Sequence, residues 1–311
     1  MGSLFPRSYA GEQDLEKMRN LLIAGRRANN GTYYVHTGDL NWWLFYPPLE
    51  FDLWQFISVW DDPQDPGKLM GWALLSPSWS AYDVYVQPEL RGSPEAEGMY
   101  LYAEEQLTAL ARSRNQAKIY RLWVAQGDGI YSDHLLRCGF KNSGENVLYM
   151  TRLLDEPIPV PVLPEGFEVR PMTGEQDAPA RAAAQYGAYE SEAPFEKYLQ
   201  RYLNFMRSPV YDASRDMVTA CPDGRISSFC IVWTDSGNQV GLVEPVGTHP
   251  EFRGKGLGKA IVIAGLRQLQ AQGMHTAILC TSEDNLPAVK LYESVGFSVT
   301  DKHLTFVRPV E

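Results

Sequence analysis

Hydrophobic and polar positions along the chain follow one succession of patterns, and that succession occurs twice. In the first half a β-like run, Val84-Tyr85-Val86, ends in Gln87-Pro88-Glu89-Leu90-Arg91-Gly92 and leads towards a helical pattern over Tyr100 to Arg112. In the second half Val246-Gly247-Thr248 ends in His249-Pro250-Glu251-Phe252-Arg253-Gly254 and leads towards a helical pattern over Lys259 to Gln270, with Leu266 and Leu269 at helix-like spacing. Each helix is followed by a short apolar strand, Ile119 to Val124 and Thr276 to Cys280, and later by a Gly-Phe pair, Gly139-Phe140 and Gly296-Phe297. Matching order and matching end residues predict two diverged copies of one unit that mixes strands and helices.

Each copy is expected to open with helical material. In the second, Phe195, Tyr198, Tyr202 and Phe205 fall on one helical face. That stripe reads as a core face, with a substrate-lining aromatic wall as the alternative. The first copy carries Trp42, Trp43, Phe45, Tyr46, Trp54 and Phe56, read as core or interface rather than as a base-stacking surface. Between the copies lies Glu156-Pro157-Ile158-Pro159-Val160-Pro161-Val162-Leu163-Pro164. Its prolines lack backbone donors and favour extended geometry, which predicts a semi-rigid linker over 156–165 between domains at 1–155 and 166–311.

Length agrees, since 311 residues at roughly 150 per domain give about two domains. A formal charge of -10 argues against broad binding to nucleic acid or to anionic membrane. No apolar run approaches the roughly 20 residues of a membrane helix. The opening Met1-Gly2-Ser3-Leu4-Phe5-Pro6 lacks a charged-then-apolar signal pattern, so a cytoplasmic location is expected. Cys138, Cys221, Cys230 and Cys280 are scattered without CxxC spacing, and neither a metal site nor a disulfide framework is expected.

The most informative segment is Arg253-Gly254-Lys255-Gly256-Leu257-Gly258-Lys259, between a predicted strand and a predicted helix. Without Cβ atoms such a backbone approaches a phosphate closely, and the first N–H groups of the following helix point at the anion. Arg253, Lys255 and Lys259 add local positive charge. A Walker A loop fails here, because Gly258-Lys259 is followed by Ala260 and Arg253 stands where the opening Gly belongs. The dinucleotide fingerprint fits poorly, because Gly254, Gly256 and Gly258 alternate and follow an intervening turn.

These residues resemble the GNAT superfamily of acyl-CoA-dependent N-acetyltransferases. Arg253, Gly256 and Gly258 match its loop of Arg or Gln, two residues, Gly, one residue, then Gly or Ala. Asn285-Leu286-Pro287-Ala288-Val289-Lys290-Leu291-Tyr292-Glu293-Ser294-Val295-Gly296-Phe297 is similar to its second signature. The resemblance implies two tandem α/β domains, each a mixed, mostly antiparallel sheet flanked by helices, with acetyl-CoA as cosubstrate and no metal. It implies that the amides around Arg253, Gly254, Lys255, Gly256, Leu257, Gly258 and Lys259 bind the pyrophosphate. Val246, Gly247 and Thr248 would run beside the pantetheine arm, Asn285 would contact that arm, and Tyr292 would lie near the sulfur.

The implied chemistry suits these residue types. An amine attacking a thioester loses a proton, and a thiolate departs, which a Tyr hydroxyl can assist. N–H groups near Val246 would stabilise the oxyanion, whereas Pro245 has none to offer. Glu244, in the otherwise apolar run Gly241-Leu242-Val243-Glu244-Pro245-Val246, is the candidate base, because a carboxylate in an apolar cleft has its pKa raised. The bland alternatives are a Glu that anchors a bulge and a Tyr that packs on the sheet. His249 precedes Pro250 and reads as a surface cap. No cysteine stands in the motif region with a His partner, which favours direct attack in a ternary complex; Cys280 reads as core.

The first copy departs from the pattern. Laying Arg91 on Arg253 puts Pro94 and Ala96 at the places of Gly256 and Gly258, with Glu95 between them. Aligning the Gly-Phe pairs puts Leu135 at the place of Tyr292 and Asp128 at that of Asn285. The first copy is therefore expected to have lost CoA binding and to brace the second or wall its acceptor cleft, an arrangement comparable to tandem members of the superfamily such as mycothiol synthase. The acceptor is expected to be a small-molecule or peptide amine, not nucleic acid or membrane. A non-catalytic acyl-CoA-binding or regulatory protein, and an interaction module built on the aromatic first half, are the competing readings.

Overall fold

A computed structural model describes residues 5–29 and 34–310; the opening residues 1–4, on which part of the signal-pattern reading rests, lie outside it. In chain order the elements of the first half are β1 (Arg7–Ser8), α1 (Glu12–Ala28), α2 (Thr37–Phe45), β2 (Ile57–Asp61), β3 (Leu69–Ser76), β4 (Ala81–Val86), α3 (Pro94–Ser113), β5 (Lys118–Ala125), α4 (Gly129–Arg137) and β6 (Lys141–Leu153). Those of the second half are β7 (Glu168–Pro171), α5 (Ala178–Ala188), α6 (Phe195–Met206), β8 (Asp216–Ala220), β9 (Ile226–Asp235), β10 (Val240–Thr248), α7 (Leu257–Ala271), β11 (Thr276–Ser282), α8 (Leu286–Glu293) and β12 (Ser298–Pro309). Among the described residues no helix is long and apolar enough to cross a membrane.

Two compact units result. The first takes the described residues within 1–36, 50–148 and 301–311, and the second takes 37–49 and 149–300. In the first, β1 to β4 form an antiparallel run, β4 pairs parallel with β5, and β5 pairs antiparallel with β12. In the second, β7 to β10 form the antiparallel run and β10 pairs parallel with β11. A parallel pair needs a crossover, and α3 and α7 supply it. Helix α7 buries Leu257, Leu266, Leu269 and the whole run from Ala260 to Leu266, which fixes it on the sheet.

The units do not follow a linear cut at 156–165. Residues 37–49 join the second unit because α2 and the turn after it carry aromatic side chains that complete its core. Trp42 stacks on Tyr46 at 4.2 Å between ring centroids and meets Phe205 edge-on at 5.0 Å. The Arg201 guanidinium lies 3.8 Å from the Tyr46 ring, and its Nε donates to the Tyr46 carbonyl at 2.9 Å. The aromatic cluster read as belonging to the first copy is thus divided, and Trp54 stays in the first unit, stacked on Tyr9. The stripe on α6 is core: Tyr198, Tyr202 and Phe205 are buried. Segment 156–165 carries no regular element but is not loose. Arg267 Nη1 donates to the Ile158 carbonyl at 2.9 Å, and Gln270 Nε2 to the carbonyls of Leu154 and Glu156 at 2.7 and 3.2 Å.

Gly38 shows how closely α2 is seated, because a Cβ there would stand 2.4 Å from Trp233 Cγ and 2.6 Å from its Cβ. Gly38→Ala is expected to destabilise the second unit by about 1–3 kcal/mol, the usual range for overpacking, as read from urea unfolding followed by tryptophan fluorescence. An unchanged midpoint would contradict the seating of α2.

Candidate functional site

The site begins where two parallel strands part. Register between β10 and β11 runs from Val240 opposite Thr276 to Leu242 opposite Ile278 and stops there, while β10 continues beside β9 to Thr248. A bulge between Val243 and Val246 on β10 bends the strand at Glu244 and Pro245. Beyond the last parallel pair lies a cavity of about 740 Å³. Val246, Gly247 and Thr248 line one side, Arg253, Gly254 and Gly256 to Lys259 the floor, Asn285 and Tyr292 of the α8 region the other side, and Ala188 and Tyr189 the rim.

Its floor is a helix start without a cap. Gly254 and Gly256 both have φ 78°, a backbone that favours glycine, and Gly256 is the N-cap of α7 with no side chain to accept from the first turn. The leading N–H groups of α7 therefore face the cavity with no partner inside the helix, and the helix dipole adds positive potential there. Gly258 is needed for space, since a Cβ would stand 3.0 Å from Leu291 Cδ1 and 3.1 Å from Thr248 Oγ1. Arg253 reaches the rim, its Nη2 donating to the Ala188 carbonyl at 3.3 Å with Glu190 at 3.7 Å. Lys255 lies outside the lining, its ammonium 5.2 Å from the Phe252 ring. Backbone donors, small residues and cations suit a diphosphate, and the cavity is large enough for an extended thiol arm behind it.

Glu244 sits half-buried on the bulge, its carbonyl oxygen accepting from Trp233 Nε1 at 2.7 Å. Burial first, and the charge of Asp39 second, push its carboxyl well above the usual range. Tyr292 is buried in the cavity wall and packs edge-on against Phe297. Among the described residues its hydroxyl has no hydrogen-bond partner, and burial, with the neighbouring Cys230, Glu244 and Cys280, raises its pKa. Asn285 caps α8, its Oδ1 accepting from the Ala288 N–H at 3.3 Å, which leaves its amide group at the cavity wall. His249 is a cap as read, its Nδ1 accepting from the Glu251 N–H at 3.4 Å.

Comparison with known proteins agrees with this geometry. A sequence model of the Acetyltransferase (GNAT) family matches residues 181–297. A mycothiol acetyltransferase of Streptomyces bingchenggensis is 30% identical over 249 residues, covering 77% of each chain. One from Thermobispora bispora is 32% identical over 244 residues, covering 75% of this chain and 78% of its own. The chain belongs to the GNAT acetyltransferase family. Its fold is that of tandem members: a tandem GNAT protein from the clavulanic acid biosynthesis pathway matches with a TM-score of 0.71 at 17% identity over 98% of each chain. A GCN5-related N-acetyltransferase from Sphaerobacter thermophilus gives 0.67 at 19% identity over 99% of this chain and 96% of its own. This protein is therefore an acyl-CoA-dependent N-acetyltransferase.

The corresponding place in the first unit of this GNAT chain is closed. Ser93 caps α3, its Oγ accepting from the Ala96 N–H at 3.2 Å, Pro94 removes a donor, and Glu95 and Glu97 occupy the first turn. Arg91 pairs with Asp128, which caps α4 by accepting from the Tyr131 N–H at 3.1 Å. Where β4 and β5 part, Arg121 donates to Asp83 at 2.7 Å and Tyr34 donates to the same oxygen at 2.5 Å. The space left among these side chains is about 10 Å³.

Two residues at the second unit's site were missed from the sequence. Asp39 arrives on α2 from far along the chain, and no local pattern marks it. Tyr189, whose hydroxyl donates to the Val246 carbonyl at 3.4 Å, ends α5 without belonging to a motif. Gly258→Val, which fills the gap between Thr248 and Leu291, is expected to weaken CoA binding at least tenfold by titration calorimetry, with secondary structure retained by circular dichroism. Unchanged affinity would place the diphosphate elsewhere.

Proposed function

We propose that the second unit transfers an acetyl group from acetyl-CoA to a primary amine by direct attack in a ternary complex, with residues 166–311 supplying the cosubstrate site and 1–155 none. The observation that carries this reading is the contrast between one uncapped glycine-rich helix start above a cavity of about 740 Å³ and a capped, acidic one beside about 10 Å³. Acetyl-CoA, when bound, supplies the thioester whose acyl group moves to the amine. The leading amides of α7, with Arg253 and Lys259, hold the anionic end of the cosubstrate. Val246, Gly247 and Thr248 align its arm, and Asn285 contacts it.

Glu244 takes the proton from the amine at its carboxylate, directly or through water. A raised pKa makes it a stronger base once ionised, which suits this task. Tyr292 presents its hydroxyl proton to the leaving sulfur. The two carboxylates Asp39 and Glu244 favour an amine that arrives as a cation, in keeping with the relatives' small-molecule class of acceptor. Which amine fits is decided by side chains around that pair.

Glu244→Gln and Tyr292→Phe are each expected to lower kcat/KM by about 100-fold or more across a panel of amines in a CoA-release assay, the range of a lost general base or acid. If neither slows turnover on any acceptor, both assignments fail. The acid limb of kcat/KM should lie above the ordinary carboxylate range and vanish in Glu244→Gln. Asp39→Asn removes a neighbouring negative charge, so ionisation becomes easier and that limb should move to lower pH. A limb that stays in place would separate Asp39 from the base.

A further inference from the structure

The first unit contains a cluster that the transfer reaction does not use. Glu104 on α3 and His134 on α4 are both nearly fully buried, and Cys138, the C-cap of α4, is half-buried beside them. His134 Nε2 lies 2.8 Å from Glu104 Oε1 and 3.7 Å from Cys138 Sγ. One ligand atom from each of the three falls within 4.8 Å of the others, near enough for small side-chain shifts to reach the roughly 3–4 Å between ligand atoms that tetrahedral zinc bonds of about 2.0–2.3 Å impose. We propose that this unit binds a single zinc-class divalent cation through Glu104 Oε1, His134 Nε2 and Cys138 Sγ.

Five features around the cluster support a built site. Glu104 divides its two oxygens: Oε1 faces the cluster, while Oε2 is held by Arg308 Nη1 at 3.5 Å, which fixes the carboxylate plane. Tyr82 also donates to Oε1, at 3.1 Å, and its contact with Tyr131 at 3.2 Å keeps it in place. The second nitrogen of His134, Nδ1, is buried without a hydrogen-bond partner among the described residues, and the Glu97 carboxylate lies 3.9 Å from it, on the side where a carboxylate stands behind a metal-bound imidazole. Cys138 ends α4, where the helix dipole is negative and favours a cation. Glu104 and Cys138 also line a cavity of about 400 Å³, which gives an entry path and room for water as a fourth ligand.

Binding is balanced in protons. The imidazole keeps one proton, which moves from Nε2 to Nδ1, facing Glu97. The Cys138 thiol loses its proton to solvent, so one proton is released for each cation bound. A mixed O, N, S donor set selects zinc-class ions over magnesium or calcium. The site is separate from the acyl-CoA cavity of the second unit, so it stands or falls independently of the proposed function.

The test uses the full chain with its metals stripped by chelation and Co²⁺ as probe. One equivalent of Co²⁺ is expected to bind, with a thiolate-to-cobalt absorption band that Zn²⁺ abolishes in competition. Cys138→Ser should remove the band while circular dichroism stays unchanged, and His134→Gln should weaken binding at least tenfold. A wild-type protein that shows no such band at saturating Co²⁺ would overturn the proposal. So would a band that survives in Cys138→Ser, because it would arise at Cys221, Cys230 or Cys280 instead.

Discussion

An α-helix that starts without a cap must find acceptors for its first N–H groups somewhere, and in this protein that requirement shapes the cavity of the second unit. At α7 the N-cap is Gly256, which has no side chain to offer, and two glycines in left-handed conformation turn the chain so that the amides look into an open cavity. The parallel pair β10 and β11 parts after Leu242 and Ile278, which leaves room for a bound arm behind those amides. At α3 the same backbone need is met from within: Ser93 accepts from Ala96, and Pro94 has no donor to satisfy. One topology thus gives an uncapped helix start beside an open cavity in one unit and a capped start beside almost no space in the other, and the difference rests on a few residues at the start of one helix.

The chemistry depends on a second constraint, the cost of holding a carboxylate away from water. Glu244 lies on a bulge beside apolar strand residues, and Asp39 brings a like charge near it. Both effects favour the protonated form, so the group is a better proton acceptor when ionised than a solvated Glu. Tyr292, buried in the cavity wall, keeps its own proton chiefly for the first of these reasons, burial. The carboxyl of Glu244 and the hydroxyl of Tyr292 are thereby each tuned by burial rather than by a charged partner of opposite sign.

Much of this was legible in the sequence because it is local. The glycine loop, the signature opening at Asn285 and the Gly-Phe pair are each local runs of sequence, and the repeated order of strand, turn, helix, strand and Gly-Phe pair predicts the tandem architecture. The first copy's losses at Pro94 and Leu135 were equally local. What was not legible is what tertiary packing brings together. Trp42 and Tyr46 belong by position to the first half, yet they fill the second unit's core, because a stripe of aromatic residues does not specify which sheet it covers. Asp39 follows them to Glu244. The proline segment reads as an extended spacer, but Arg267 and Gln270 on α7 hold it by carbonyl groups that every residue carries. Glu104, His134 and Cys138 show no metal-ligand spacing as a set, since only the packing of α3 on α4 joins them.

The account is tested most directly by the structure of the protein crystallised with coenzyme A. It predicts one molecule per chain, its diphosphate within hydrogen-bond distance of the backbone N–H groups of Leu257, Gly258 and Lys259. A diphosphate resting against Ser93 to Glu97, or one held in the second unit away from those amides, would contradict it.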